Sequence, residues 1–151
     1  MTLAGNKTDL SRLRVLLVDD NAALRGALRV SLQAFGCGQV IEAGTVARAL
    51  DVLSARTVDL VITDWKMRPR DGIDFVRTLR RPGANFQPRV PVIMLSAYSD
   101  SNRIAEASQA GVDAFLIKPF TAASLAATLH ETLIRDSGHC ESVPQLFGIE
   151  R

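Results

Sequence analysis

The stretch Val15-Leu16-Leu17-Val18-Asp19-Asp20-Asn21 sets the pattern on which the chain is built. Four apolar residues are too few for a helix, and a continuous rather than alternating run suits a strand covered on both faces. Directly after it, Leu24, Leu28, Leu32 and Phe35 recur at helical spacing across Ala22–Phe35, with Gly36 as the stop. The couplet then returns. Apolar runs at Gln39–Ala43, Leu60–Thr63, Val90–Leu95 and Ala114–Ile117 each precede an amphipathic segment. Thr45 can cap a helix with Val46, Leu50 and Leu53 on one face, and Gly72–Arg80 carries Ile73, Val76 and Leu79. Ser101–Ala110 carries Ile104 and Ala107, and Thr121 precedes a helix with Leu125, Leu129 and Leu133 inward. Strand–helix alternation of this kind predicts an α/β fold with a parallel sheet of five strands. Right-handed crossovers then place helices on both faces, making the sheet doubly wound.

Composition bounds the function. A chain of 151 residues suits a single domain and buries roughly 68–70% of its unfolded surface without a metal or disulfide to hold it. Eighteen Lys+Arg against sixteen Asp+Glu give a net charge of +2, too small for an electrostatic footprint on nucleic acid or an anionic membrane. Cys37 and Cys140 are too few and too far apart for a disulfide scaffold or a zinc site, and read as unrelated thiols in a reducing compartment. Met1–Arg14 lacks the apolar core of a secretion signal, and no stretch approaches the roughly 18 residues a membrane helix needs. The expected location is the cytoplasm. The expected division is an extension over 1–12, a domain over 13–136 and a tail over 137–151, where Gly138, Pro144 and Gly148 interrupt any period. The tail is expected to fray, with a docking peptide containing Leu146, Phe147 and Ile149 as the alternative. The Arg81–Arg89 connection, with Pro82, Gly83 and Pro88, is longer than a helix-to-strand link requires. It reads as a tolerated extension or, through Arg80, Arg81 and Arg89, as a partner contact.

In a parallel sheet every strand ends on the same edge, and ligands bind outside those carboxyl ends. Asp19 and Asp20 follow the first run, Asp64 the third, Ser96 the fourth and Lys118 the fifth. Singly, each has a plain structural use. Asp20 or Asn21 can cap the first helix, Asp64 and Ser96 can serve turns, and Lys118 can be a solvated lysine. Together they bring three carboxylates, a hydroxyl and an ammonium to one rim. Carboxylates sharing a pocket repel, and a divalent cation compensates them; oxygen ligands without His or Cys favour Mg²⁺ or Mn²⁺. A carboxylate beside such an ion can attack phosphorus and form an acyl phosphate, with the ammonium and hydroxyl steadying the phosphoryl oxygens.

These residues resemble a known family, the receiver domains of two-component response regulators, and in layout the stand-alone chemotaxis type. The resemblance rests on Val-Leu-Leu-Val-Asp19-Asp20-Asn21, Leu-Val-Ile-Thr-Asp64-Trp65-Lys66-Met67, Asp71-Gly72, Val-Ile-Met-Leu-Ser96-Ala97 and Lys118-Pro119-Phe120, and spans about Leu13 to Arg135. It implies a flavodoxin-like strand order 2-1-3-4-5. It also implies that Asp64 is the phosphoacceptor, Asp20 a direct Mg²⁺ ligand, Asp19 a ligand through water, and the Lys66 backbone carbonyl a further ligand. Ser96 matches the family's switch hydroxyl, Phe115 its rotating aromatic and Lys118 its phosphoryl-contacting lysine, with a cis Lys118–Pro119 bond. Arg68 stands where the family usually has proline, with Pro69 displaced by one. Lys66 and Tyr98 are expected to flank the phosphoryl group and slow its hydrolysis.

The implied partner is a histidine kinase or a histidine phosphotransfer protein. Output is expected through protein contact at Asp100–Arg135, from a monomer or a phosphorylation-dependent dimer, with no nucleic acid or membrane partner. The resemblance implies a phosphoacceptor rather than an enzyme with turnover. Three other readings compete. A haloacid-dehalogenase-like phosphatase needs an acid/base Asp where Lys66 stands. A flavodoxin would bring a flavin phosphate against Asp19 and Asp20. A scaffold with a silent receiver would have no use for the complete residue set.

Overall fold

A computed structural model describes residues 9–83, 86–97, 102–138 and 145–147, the backbone alone for 136–138 and 145–147. The elements run β1 (Arg14–Val18), α1 (Ala22–Ala34), β2 (Gln39–Ala43), α2 (Val46–Ala55), β3 (Leu60–Asp64), α3 (Gly72–Arg80), β4 (Val92–Ala97), α4 (Ile104–Ala110), β5 (Ala114–Lys118), α5 (Ala122–Gly138) and β6 (Gln145–Phe147). All strand pairs are parallel, and the order is β2-β1-β3-β4-β5-β6. The five expected strands and their 2-1-3-4-5 order are therefore present, in a flavodoxin-like α/β domain. What the sequence did not announce is β6. It lies inside the stretch expected to fray and adds to the outer edge of β5.

Period-two alternation in each strand feeds two cores. Leu16, Val18, Val61, Val92, Met94 and Phe115 face one way, against α2, α3 and α4. Val15, Leu17, Ile62, Ile93, Leu95 and Leu116 face the other, against Leu28 and Leu32 of α1 and Leu125 and Leu129 of α5. Strands sandwiched in this way have no polar face, which is why they appear in the sequence as unbroken apolar runs. β4 begins two residues later than its apolar run, because Val90 is held in a turn by its bond to the Gln87 carbonyl and Pro91 has no N–H to give. α4 begins at Ile104, shorter than its sequence pattern suggests, and no side chain caps it.

The amino-terminal edge of the sheet carries a repeated clamp. Asp59, just before β3, accepts the Arg14 N–H at 2.8 Å, while its own N–H donates to the Arg14 carbonyl at 2.8 Å. Asp113, just before β5, does the same for Val92, accepting at 2.8 Å and donating at 2.9 Å. Each carboxylate also holds an arginine, Arg14 at 3.0 Å and Arg80 at 2.9 Å. Gln87 ties the long loop to the rest of this edge, accepting from the Val58 N–H and donating to the carbonyls of Leu53 and Arg56. The loop is thus fastened to α2 and to the link that leads into β3, which gives Gln87 a structural task.

Asp113→Ala strips the Val92 N–H and Arg80 of a partner at once. We expect it to lower unfolding stability by roughly 1–3 kcal/mol, the usual cost of unsatisfied buried polar groups, read as a lower urea midpoint. An unchanged midpoint would show that the clamp is not structural.

Candidate functional site

The opposite, carboxyl-terminal edge gathers the reactive groups. Asp64 and Lys118 are the last residues of β3 and β5, and Ser96 is the next to last of β4, so the strands themselves aim these side chains. Sheet register brings them together: Asp64 pairs with Leu95, and Ser96 with Ile117. Asp19 and Asp20 follow β1. One carboxylate oxygen from each of Asp19, Asp20 and Asp64 lies within 4.8 Å of the others, with Asp19 and Asp64 buried and Asp20 exposed. The Lys118 ammonium sits 2.7 Å from Asp64 Oδ1.

The structural alternatives for these residues are now resolved one by one. Asn21, not Asp20, caps α1, its side chain accepting from the Leu24 N–H at 3.1 Å. That leaves Asp20 free for the rim. Asp19 accepts from the Asn21 N–H through Oδ1 at 2.9 Å, while its Oδ2 is buried without a partner. Ser96 is buried in a strand, and its Oγ too lacks a partner. Lys118 is half-buried and paired rather than solvated. Phe115 is fully enclosed in the core beneath, so the structure captures its ring inward. Lys66 is exposed. Tyr98, Asp100 and Ser101, to which the sequence also points, lie outside the described residues, as does Cys140. Both Lys118–Pro119 and Arg68–Pro69 are cis.

Burial pushes the Asp19 carboxyl above its ordinary range. The Asn21 amide opposes this, the Asp64 charge adds to it, Lys118 opposes it, and Asp20 adds again. An acid crowded by two others, with one lysine among them, is short of positive charge. Hard oxygen donors and an orphaned buried carboxylate oxygen fit a divalent cation of the Mg²⁺ or Mn²⁺ type.

Several supporting contacts escaped the sequence reading. Arg25 donates to the Asp19 carbonyl at 2.5 Å and to Glu42 at 3.0 Å, and Arg29 also holds Glu42. Burial raises the Glu42 carboxyl, and the hydrogen bonds from Arg29 and Arg25 more than reverse it, leaving it below the usual carboxylate range. Gly72 donates to the Trp65 carbonyl at 2.6 Å, and a Cβ there would stand 2.4 Å from the Asp64 carbonyl. Only glycine lets α3 come so close to the end of β3. Its neighbour Asp71 caps α3 by accepting from the Asp74 N–H at 2.9 Å. Arg103, at the start of α4, lies over the Trp65 ring at 5.1 Å and bonds Glu106 at 3.1 Å, which Arg77 of α3 reaches at 3.3 Å. Of these, only the pair Asp71-Gly72 leaves a visible trace in the sequence. No helix among the described residues is long and apolar enough to cross a membrane.

Comparison with known proteins agrees with this geometry. The family described as "Response regulator receiver domain" matches residues 15–130. Chemotaxis protein CheY-3 of Vibrio cholerae is 34% identical over 123 residues, covering 82% of this chain and 93% of that protein. Chemotaxis protein CheY of Pseudomonas aeruginosa is 32% identical over 126 residues, 83% of this chain and 100% of that protein. Among solved structures, CheY4 of Vibrio cholerae superposes with a TM-score of 0.74 at 28% identity, over 81% of this chain and 99% of that one.

The raised Asp19 carboxyl fixes the sign of a pH effect. Without metal, an acid whose folded pKa is raised adds stability below its unfolded pKa and loses that contribution as pH rises through the folded one. Asn at this position cannot ionise. Asp19→Asn in chelator is therefore expected to exceed the wild type at neutral pH by roughly 1–3 kcal/mol, the gap narrowing as pH falls through the raised Asp19 pKa toward the ordinary carboxylate range. Denaturant midpoints across pH measure this, and a gap that stays constant or widens at low pH contradicts it.

Proposed function

The chain belongs to the family of response regulator receiver domains, and from that premise we propose that Asp64 is its phosphoacceptor. As a receiver domain it is a phosphoacceptor signalling module rather than a turnover enzyme. The observation that carries the reading is the 2.7 Å contact of the Lys118 ammonium with Asp64 Oδ1, in a carboxylate that also belongs to the acid cluster. Asp64 alone among the three acids meets both the cluster and the lysine.

Asp20 and Asp64, with Asp19 through water and the Lys66 carbonyl, would hold Mg²⁺ or Mn²⁺. When bound, the cation neutralises charge between the nucleophile and an incoming phosphoryl oxygen. The chain's own groups do the rest. Lys118 holds one oxygen of Asp64 and leaves the other to attack phosphorus. The new O–P bond forms as the P–N bond of a donor phosphohistidine breaks, and the imidazole leaves with the electron pair. Lys118 stays beside the transferred group as its counter-charge. Ser96, whose hydroxyl has no partner in the described structure, donates to a phosphoryl oxygen. Positioning and charge neutralisation are what phosphoryl transfer chiefly requires.

The donor is a histidine kinase or a histidine phosphotransfer protein. The response is a population shift: the phosphoryl group favours the arrangement in which Ser96 is engaged and Phe115 is inward, and a protein partner reads the α4–β5–α5 face. That face makes a monomer or a phosphorylation-dependent dimer the states to distinguish.

Incubation with Mg²⁺ and a small phosphodonor, followed by intact mass measurement, is expected to add a single phosphoryl group to the wild type. Asp64→Asn should add none, and chelator should abolish the reaction. Mg²⁺ should also raise the melting temperature of the wild type, a ligand effect that Asp20→Ala loses. Labelling of Asp64→Asn at the wild-type rate would refute the assignment.

A further inference from the structure

We propose that the outer edge of β5 is a strand-accepting site, whose resident is the chain's own C-terminal segment Gln145–Phe147, held in cis and exchangeable. The two outer flanks of the five-stranded core are built differently. On one side β2 is a protected edge: Gln39 is exposed, Val40, Ile41 and Glu42 are only half-buried, and Glu42 is locked between Arg25 and Arg29. Charge on a short, partly solvated strand discourages any further strand from joining. β5 carries no such guard. Ala114, Phe115, Leu116 and Ile117 carry no charge and, with β6 in place, are all buried; its first charge is Lys118, which is turned to Asp64. Its sequence reads as an interior strand, yet the five-stranded order leaves it outermost.

β6 supplies the missing neighbour. It runs parallel to β5 in the register Ala114↔Gln145, Phe115↔Leu146 and Leu116↔Phe147, and it also contacts α5. Recognition of this kind works through main-chain hydrogen bonds, with side-chain fit setting selectivity. The match is incomplete: β6 has three residues and β5 five, so no described strand pairs with Ile117 and Lys118 on that side. A ladder this short is weak by itself. Tethering makes it sufficient, because attachment through 139–144 replaces a bimolecular encounter with a high local concentration. The same reasoning makes the resident displaceable by an equivalent segment at high enough concentration. The ligand class is thus an extended apolar segment added in parallel, and the occupant is this chain's own. The inference rests on backbone pairing and burial and does not require Asp64 to be phosphorylated.

The test uses the full chain carrying Leu146→Pro and Phe147→Pro together. Successive N–H groups of a strand point to opposite sides, so one of the two prolines falls on a donor that faces β5. Amide hydrogen exchange across Ala114–Lys118 is expected to accelerate about tenfold or more, with Val61–Thr63 of β3 unchanged as the control for folding. A synthetic copy of residues 143–149 should restore slow exchange at the same amides with one-to-one saturation. A fluorescent copy should bind the double-proline chain at least about tenfold more tightly than the wild type, where it must first displace the resident. Should the variant dimerise, the peptide must return it to monomer. Unchanged exchange on β5, no rescue by the peptide, equal affinity for the two chains, or a dimer that the peptide leaves intact would each overturn the proposal.

Discussion

Three carboxylates within 4.8 Å of one another on the rim of an apolar sheet impose a constraint that the surrounding structure must meet. At an effective dielectric of about 20, two unit charges about 4 Å apart repel by about 4 kcal/mol. Lys118 offsets an amount of that order through its contact with Asp64, which leaves the other like-charge pairs uncompensated. The fold responds with fixed dipoles and remote cations. The Asn21 amide faces Asp19, and the Arg25 guanidinium holds the Asp19 carbonyl while being anchored on Glu42. These contacts fix the acids in place without neutralising them. An acid cluster kept rigid and under-compensated is the electrostatic form of a cation site, and the proposed metal follows from that imbalance.

The two ends of the sheet divide the work. At the amino-terminal end, Asp59 and Asp113 are used for structure, each satisfied by a backbone N–H and an arginine. At the carboxyl-terminal end, Asp19 and Ser96 keep a buried polar atom with no partner. The same residue type is therefore saturated where it clamps register and left short where it faces a ligand. The clamps at one end carry through to the other. Asp59 fixes the register of β3 against β1, which sets Thr63 beside Val18. Asp113 fixes that of β5 against β4, which sets Ser96 beside Ile117.

Much of this was legible in the sequence because the signal was local. A buried parallel strand must be an apolar run, so the residue at its end is marked, and Asp19, Asp64, Ser96 and Lys118 could be placed on one rim before any coordinates. Asn21 as the α1 cap was not decidable, since Asp20 and Asn21 are equally good capping residues and only geometry separates them. Arg25, Gln87 and the pair Arg103–Trp65 were illegible for a different reason. Their partners are distant in sequence, and nothing in an isolated arginine or glutamine announces which carbonyl or ring it will meet. Gly72 stood in a recognisable pair, but the tightness that demands glycine belongs to the approach of α3 to β3. β6 was missed because three residues are too few to show a period, and Gly138, Pro144 and Gly148 read as punctuation.

Of the three buried side-chain atoms without a partner among the described residues, Asp19 Oδ2, Trp65 Nε1 and Ser96 Oγ, the first and last join the acid cluster to the proposed switch. A buried polar group left without a partner costs roughly 1–3 kcal/mol, which sets the scale on which a ligand that engages Asp19 Oδ2 or Ser96 Oγ can act. Moving a two-state equilibrium from about 1:99 to 99:1 takes about 5.5 kcal/mol of differential interaction. Engaging both atoms would contribute part of that differential interaction. The geometry also says where the energy goes. Ser96 lies on β4 opposite Ile117 of β5, and Phe115 lies two residues earlier on that strand, inward against the α4 side of the core. Engagement of the hydroxyl by the proposed phosphoryl group would therefore act first on the β4–β5 pair and on the helix that Arg103 fastens over Trp65. Under the proposed function, engagement of these polar atoms rather than a new apolar contact would drive the response.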